Sequence, residues 1–545
     1  MTQGISRHRF SDGELNLRRF HQARWDEPVI FELTEPGQRG VLPPEPEAGI
    51  REAAGDVLAT LPQGMHRKRP PALPELSQVH VLRHYLRLSQ ENLGADMNID
   101  VGQGTCTMKY SPKVNDQLTR LPGMAELHPL QDVETVQGIL EVMYRFEQML
   151  KEISGLDRFT FQPGAGSQAI YTCALIIRAY HSSRGEASQR DEVITTIFSH
   201  PSDAACAKTA GYKVLTLYPD ANGYPDLDAL KAAVSDRTAA LLITNPEDTG
   251  IFNPRISQFV ETVHDAGGLC FYDQANANGI LGITRARDAG FDMCHFNLHK
   301  TFSAPHGCGG PGGAAAGCTE ALARFLPVPT VERNGDHYYL DYHRPDSIGK
   351  VRSFYGVAPA VLKAYAWVMS LGGDGLREVA EVAVLNNNYL LKRMQEIPGL
   401  RAPYAEGQHR IEQVRYSWAE LCEETDVHSE DIGLRAADFG VHYWTSHHPY
   451  VVKEPMTLEP TESYSKTDLD EYAAILRHVA QEARSDPDVV RTAPHNSTVH
   501  RVDPGPLDDP KQWAVTWRAY LRKLRERGPN PAEGGNPEEP RECVV

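Results

Sequence analysis

The sequence predicts an α/β fold in which a mostly parallel sheet is covered by helices on both faces. Three observations predict it. Strand-like and helical segments alternate between residues 159 and 273. The strand segments are near-continuous apolar runs, such as Ala239-Ala-Leu-Leu-Ile-Thr244, and do not alternate with polar residues. The residues with chemistry to offer, His200, Asn245, Asp273 and Lys300, each stand just after a strand candidate. Sheets of this kind place ligands at the carboxyl ends of their strands.

Residues 1 to about 75 are polar and broken by prolines, with one apolar island, Ile30-Phe-Glu-Leu33. They read as an arm that packs over another domain or subunit and has no core of its own. A helix is predicted over Leu76–Gln90. The small, polar stretch Gly102–Pro112 reads either as a loop against a ligand or as a plain surface loop, with Thr107 and Lys109 its side chains of interest. Apolar residues at helical spacing from Val133 to Leu150, with Gly155 beyond them, predict a helix over Asp132–Leu150.

Phe159-Thr-Phe161 is a strand running into the turn Gly164-Ala165-Gly166-Ser167 and a helix through Arg178. Next come strands at 193–198, 212–217, 239–244 and 269–272, with helices at 203–210, 226–234 and 255–266 between them. Past Gly312 helices are expected to resume around an aromatic loop, Asp336–Tyr342. Residues 350–396 are largely helical, broken at Leu371-Gly-Gly-Asp-Gly375. A strand at 411–418 and helices at 432–439 and 466–483 follow.

These readings divide the chain into an N-terminal arm at 1–90 and a large domain at 91–365. A smaller C-terminal α/β domain covers 366–485. A C-terminal extension covers 486–545, with a helix near 510–526 and a disordered, proline-rich tail.

Composition narrows the function. A formal net charge of -17 across 545 residues disfavours nucleic acid as a partner. No apolar run has the length of a membrane span, and the N-terminus lacks the apolar core of a secretory signal. Nine cysteines without metal-ligand spacing suggest reduced thiols, no metal site and a cytoplasmic location.

One stretch, Asp292–Gly312, gathers a single lysine, Lys300, with histidines at 295, 299 and 306 and a glycine-rich run. A lone ammonium at the end of a buried strand is costly unless it is used. A buried amine can hold an aldehyde as a Schiff base, and pyridoxal phosphate is the common aldehyde cofactor. That cofactor also needs a carboxylate at its pyridine nitrogen, a phosphate cradle and a flat group against its ring. Asp273, the turn Ala165-Gly166-Ser167 opening a helix, and His200 supply these respectively. Each alone has a plainer reading: a buried loop, a salt bridge or helix cap, a tight turn, a structural histidine.

Several stretches closely resemble the glycine dehydrogenase (decarboxylating) family, the P-protein of the glycine cleavage system, in its split subunit 2 form. They include Ile30-Phe-Glu-Leu-Thr-Glu-Pro-Gly-Gln-Arg-Gly40, Cys106-Thr-Met-Lys-Tyr110, Asn297-Leu-His-Lys-Thr-Phe302, Ser347-Ile-Gly-Lys-Val-Arg-Ser-Phe-Tyr-Gly356 and Glu459-Pro-Thr-Glu462. The resemblance implies a pyridoxal phosphate fold of type I. Lys300 is then the Schiff-base lysine, Asp273 the partner of the pyridine nitrogen and His200 the stacking ring. Thr107, Ser167 and Thr301 lie near the phosphate or the site wall, His299 and His306 flank it, and Lys109 and Arg352 are candidates for a substrate carboxylate.

The implied reaction forms an external aldimine with glycine, releases carbon dioxide and passes the aminomethyl group to the lipoyl group of H-protein. The implied assembly pairs with subunit 1 as a dimer of heterodimers. The family's Ala-Ala-Gly-Ala-His-Gly-Glu run is here Gly164-Ala-Gly-Ser-Gln-Ala-Ile170. Pro201, Gln274 and Cys308 are further departures, so the alternative is a paralogous decarboxylase or lyase acting on another amino acid or amine. A third reading is a non-catalytic partner that keeps the fold.

Overall fold

A computed structural model describes residues 17, 20–69, 71, 73–94, 96–102, 109–306, 312–441, 443–444, 451–498 and 501. Thr107, Cys308, the 510–526 helix and the proline-rich tail lie outside the described residues. Seven strands form the main sheet: β1 (Arg158–Thr160), β2 (Glu192–Thr196), β3 (Lys213–Leu217), β4 (Thr238–Thr244), β5 (Leu269–Gln274), β6 (Met293–Asn297) and β7 (Ala314–Cys318). Their order is β1-β7-β6-β5-β4-β2-β3. Strands β2 to β6 run parallel, and β7 runs antiparallel to both β6 and β1. The mostly parallel sheet is as predicted.

Apolar runs become strands here because both faces are covered. Along β5, Cys270 and Tyr272 join the core under the helices Gln137–Ser154 and Ile256–Asp265, while Phe271 joins the core under the helix Gly166–Ser183. The helix Gln137–Ser154 ends where Gly155 enters the left-handed region (φ 74°) and donates to Lys151 O at 2.7 Å.

Two expectations past Gly312 are corrected. The run Ala314-Ala-Ala-Gly-Cys318 is strand β7, not helix. Alanine favours helix in isolation, but here the small side chains fit a buried strand flanked by two others, and the Phe159 ring occupies the place a Gly317 side chain would take. The expected aromatic loop is the second strand of a hairpin, β8 (Thr330–Asn334) with β9 (His337–Asp341), turned by Gly335 at φ 60°. Tyr338 is buried there, 5.5 Å from the Tyr144 ring.

A long helix, Ala358–Gln395, is interrupted at Gly372 (φ 65°, ψ -177°), where the glycine-rich break was predicted. A second core then forms around Tyr416, Trp418, Tyr472 and Leu476, over the antiparallel pair β10 (Val414–Ser417) and β11 (Pro455–Leu458) and the helices Ser429–Ala437 and Lys466–Ser485. Ile99 and Val101 belong to it too. The short helices of the arm between Ile30 and Met65 bury none of their residues.

Phe146 binds the helix Gln137–Ser154 to the sheet. It is fully buried, stacks on Phe161 at 5.4 Å and meets the edge of Phe302 at 6.0 Å, two residues past Lys300. Phe146→Ala is expected to cost about 3–5 kcal/mol through the cavity it leaves; a thermal midpoint equal to that of the parent would contradict this packing.

Candidate active site

The parallel strands end on one side, and β5 and β6 bring Asp273 and Lys300 there. Asp273 is buried; its Oδ1 accepts the Ala275 amide at 2.8 Å and lies 3.5 Å from His295 Nδ1. Its Oδ2 is buried with no hydrogen-bond partner among the described residues. Lys300, 4% exposed, sits in the turn that leaves β6, where its amide donates to Asn297 O at 3.1 Å. Ser303 closes that turn at φ 56°. Its Oγ donates to Tyr110 O at 2.8 Å and its carbonyl accepts Ser111 Oγ at 3.0 Å, so the 110–111 segment holds the lysine's turn. Thr301 Oγ1 accepts the Ala277 amide at 2.8 Å, tying the same turn to the loop after Asp273.

The turn Gly164–Ser167 opens the helix Gly166–Ser183, whose first amides have no partners within the helix. A Cβ at Gly164 would run into the Arg352 guanidinium, and one at Gly166 would lie 2.8 Å from Asn297 Nδ2. A side chain at Gly166 would displace Asn297, whereas one at Gly164 would have to push the Arg352 guanidinium aside. Gln168 braces the turn: its Oε1 accepts the Gly164 amide at 2.8 Å and its Nε2 donates to Val351 O at 2.7 Å, which also places Arg352. Ile170 points away into the core. Pro201 takes a first-turn helix position, where its missing N–H costs nothing. These departures sit in the scaffold, while Gln274 is buried with its Oε1 unpartnered among the described residues.

His200 caps the helix Pro201–Thr209, its Nδ1 accepting the Ser202 amide at 3.1 Å, which fixes the ring at the helix entrance. The amide of Asn245 serves its own loop: Oδ1 accepts the Asn253 amide at 2.8 Å. His299 is buried with Nδ1 3.1 Å from Gly313 O, and its ring meets that of His306 edge-on at 5.0 Å. Burial, helped by the Lys300 charge and His306, drives the His299 pKa down to about 3. A neutral imidazole at this position suits hydrogen bonding better than proton uptake at neutral pH.

Sequence reasoning picked out Lys109 but missed Glu459 and the asparagines it joins. Lys109 is buried, 3.1 Å from Glu462 Oε1, with its Nζ 4.7 Å from the Trp367 ring centre. Glu459 is fully buried; its Oε1 accepts Asn278 Nδ2 at 2.8 Å and also Asn276 Nδ2, while its Oε2 is unpartnered among the described residues. Burial raises the Glu459 pKa to about 7, against the pull of the two asparagines, Lys300 and Lys109. The signal was in the sequence, since two acidic residues frame Glu459-Pro-Thr-Glu462 and two asparagines follow Asp273 by three and five positions. Nothing local, however, says that these segments meet.

The arrangement fits a phosphorylated pyridine aldehyde. Among the described residues, Oδ2 of Asp273 and Oδ1 of Asn297 are buried without partners, and the glycine turn presents the free first amides of the helix Gly166–Ser183. Fold and site together define a pyridoxal phosphate-dependent enzyme of fold type I.

The family described as aminotransferase class-V matches residues 161–345, and the family described as glycine dehydrogenase, C-terminal domain, matches residues 379–500. Among solved structures, glycine decarboxylase (P-protein) of the glycine cleavage system, in inhibitor-bound form, shares the fold with a TM-score of 0.68 at 22% identity, over 81% of this chain and 100% of that one. A NifS-like protein shares it with a TM-score of 0.55 at 14% identity, over 70% and 100%. The chain is 45% identical to the probable glycine dehydrogenase (decarboxylating) subunit 2 of Pyrococcus horikoshii and 46% identical to that of Thermococcus kodakarensis, in both cases over 93% of this chain and 99% of the relative. It belongs to the glycine dehydrogenase (decarboxylating) subunit 2 family.

Two titrations follow from the site. His299 is expected to show no ring titration by NMR between pH 5 and 8, whereas Glu459 titrates near 7. The folded pKa of Glu459 exceeds its unfolded value, so its contribution to stability is complete below about pH 4 and is lost as pH rises through about 7. Glu459→Gln should therefore gain thermal stability relative to the parent as pH rises from about 5 to about 8; a pH-independent difference would contradict the assignment.

Proposed function

We infer that the protein is the pyridoxal phosphate-dependent decarboxylating subunit of the glycine cleavage system, which releases carbon dioxide from glycine and transfers the aminomethyl group to the lipoyl group of H-protein. The observation that carries this reading is the buried Lys300 on the turn after β6, beside the end of β5 where Asp273 Oδ2 has no donor among the described residues. Pyridoxal phosphate, when bound, supplies the carbonyl that an amine condenses with and a ring that absorbs the electron pair left as carbon dioxide departs.

The chain's own residues would do the rest. Lys300 offers its amine. Asp273 Oδ2 would accept a hydrogen bond from the protonated ring nitrogen and so keep that nitrogen cationic. The amides of Ala165, Gly166 and Ser167, with Thr301 close by, would hold the phosphate at the helix start. His200, fixed by its own cap, presents a flat ring. Gln168 keeps the turn and Arg352 in register, and Asn245 shapes the loop beyond β4. His299 and His306 wall the site, with Thr107 assigned to the same wall from sequence alone.

Glu459 and Lys109 bring proton-carrying and cationic groups to the substrate side, where a glycine carboxylate and ammonium must be told apart. A substrate as small as glycine suits a site whose departures from the family pattern lie largely in the scaffold.

The domain division at 90, 365 and 485 is part of this proposal. So is a cytoplasmic setting, which is consistent with the lack of any helix long and apolar enough to cross a membrane among the described residues. Pairing with subunit 1 as a dimer of heterodimers is supported by the apolar side chains exposed along the arm and the helix Gln78–Gln90, among them Val41, Leu42, Leu58, Met65, Leu82 and Tyr85.

Purified protein should show a visible cofactor band that shifts on adding glycine. Labelled carbon dioxide should exchange into glycine only with subunit 1 and lipoylated H-protein present. Lys300→Ala should lose both signals. A band that ignores glycine but responds to another amine would contradict the substrate assignment.

A further inference from the structure

Asp203 lies in the first turn of the helix Pro201–Thr209, three residues after His200, and its side chain is completely buried. Its carboxyl is within hydrogen-bonding reach of the Asp273 carboxyl. Neither oxygen of Asp203 has a protein donor among the described residues, and neither has Asp273 Oδ2. Two buried carboxyl groups in contact, with three of their four oxygens lacking a donor, cannot both be charged at acceptable cost, and a shared proton supplies the missing donor.

The surrounding groups offer no other remedy. Asp273 on β5 and Asp248 after β4 are acidic, and Arg415 is engaged with Asp248 at 2.9 Å. His295 on β6 is held neutral by burial. Cys173 on the helix Gly166–Ser183, and Cys206 on the same helix as Asp203, have their thiol pKa values pushed up by burial. His200 is at the far end of the same turn, capping the helix. Burial first, and Asp273 second, push the Asp203 pKa well above the usual carboxylate range.

We propose that Asp203 is a positioning residue that carries a proton at neutral pH and donates it in a hydrogen bond to Asp273 Oδ2, holding that carboxylate in place for the ring nitrogen of the cofactor. This rests on Asp273 being the ring-nitrogen partner, as inferred above. A neutral acid is the stronger choice of donor here because it delivers an O–H to a carboxylate without adding charge to the pocket. A group on the helix capped by His200 thereby acts on the electron sink while touching neither substrate nor reacting atoms.

The test uses the full chain stripped of cofactor, with carbon-13 in its aspartate carboxyls. At pH 7 the infrared spectrum should contain a protonated aspartate band that Asp203→Asn removes. The thermal midpoint of Asp203→Asn should exceed that of the parent by a margin that grows as pH rises from about 5 to about 8, because the parent alone must keep a proton the unfolded chain releases. Cofactor affinity should fall about tenfold or more in Asp203→Ala and be largely restored in Asp203→Asn, whose amide also donates.

A parent spectrum without a protonated aspartate overturns the shared proton, and this needs no variant to fold. The band with unchanged cofactor affinity in Asp203→Ala overturns the positioning role. Failure of the cofactor assignment itself shows separately, as an absent visible band in the loaded parent.

Discussion

Charged groups held at the buried ends of two neighbouring strands are the constraint on which this structure depends. An ammonium at the turn after β6 and a carboxylate at the end of β5 are costly where they stand. Their surroundings do not neutralise them. Asp273 takes one backbone amide, no basic side chain among the described residues donates to its second oxygen, and His295 beside it is held neutral by burial and stacked on Phe271 at 5.5 Å. A site kept in this condition is built for a ligand that completes it, and a cationic pyridine nitrogen with an aldehyde beside it does so.

The scaffold serves that end by fixing backbone, not by crowding side chains. The lysine's turn is pinned from three directions, by the 110–111 segment, by the loop after Asp273 and by Phe302 against Phe146. The phosphate turn is pinned by Gln168 and by the close approach of Arg352 and Asn297. Across from this floor, the Glu459–Glu462 segment brings an acid that titrates near neutrality together with a buried Lys109. In the proposed function, one group of residues holds the cofactor and the other meets the charges of a small amino acid.

Much of the fold was legible in the sequence, because buried parallel strands write themselves as apolar runs and the candidate site residues follow them at strand ends. Lys300, Asp273, His200 and the glycine turn could therefore be picked out in order. Strand β7 could not, because a run of alanines carries a helical preference that only its two flanking partners override. The β8–β9 hairpin was hidden for a similar reason: Tyr338 and its neighbours look like loop until the helix they pack against is known. Glu459, Asn276 and Asn278 were missed because their meeting spans more than 180 residues, and Asp203 because a buried acid looks like any helix-start acid until its surroundings are seen. Asn245 is the reverse case, a residue at the expected strand end whose amide turns back to its own loop.

The most direct test of the central claim is chemical trapping. The cofactor-loaded protein is treated with borohydride, digested, and its peptides mapped for the reduced pyridoxyl group. The account predicts the label on Lys300 and nowhere else. A label on another lysine, or a protein that binds the cofactor yet yields no labelled peptide, would contradict it.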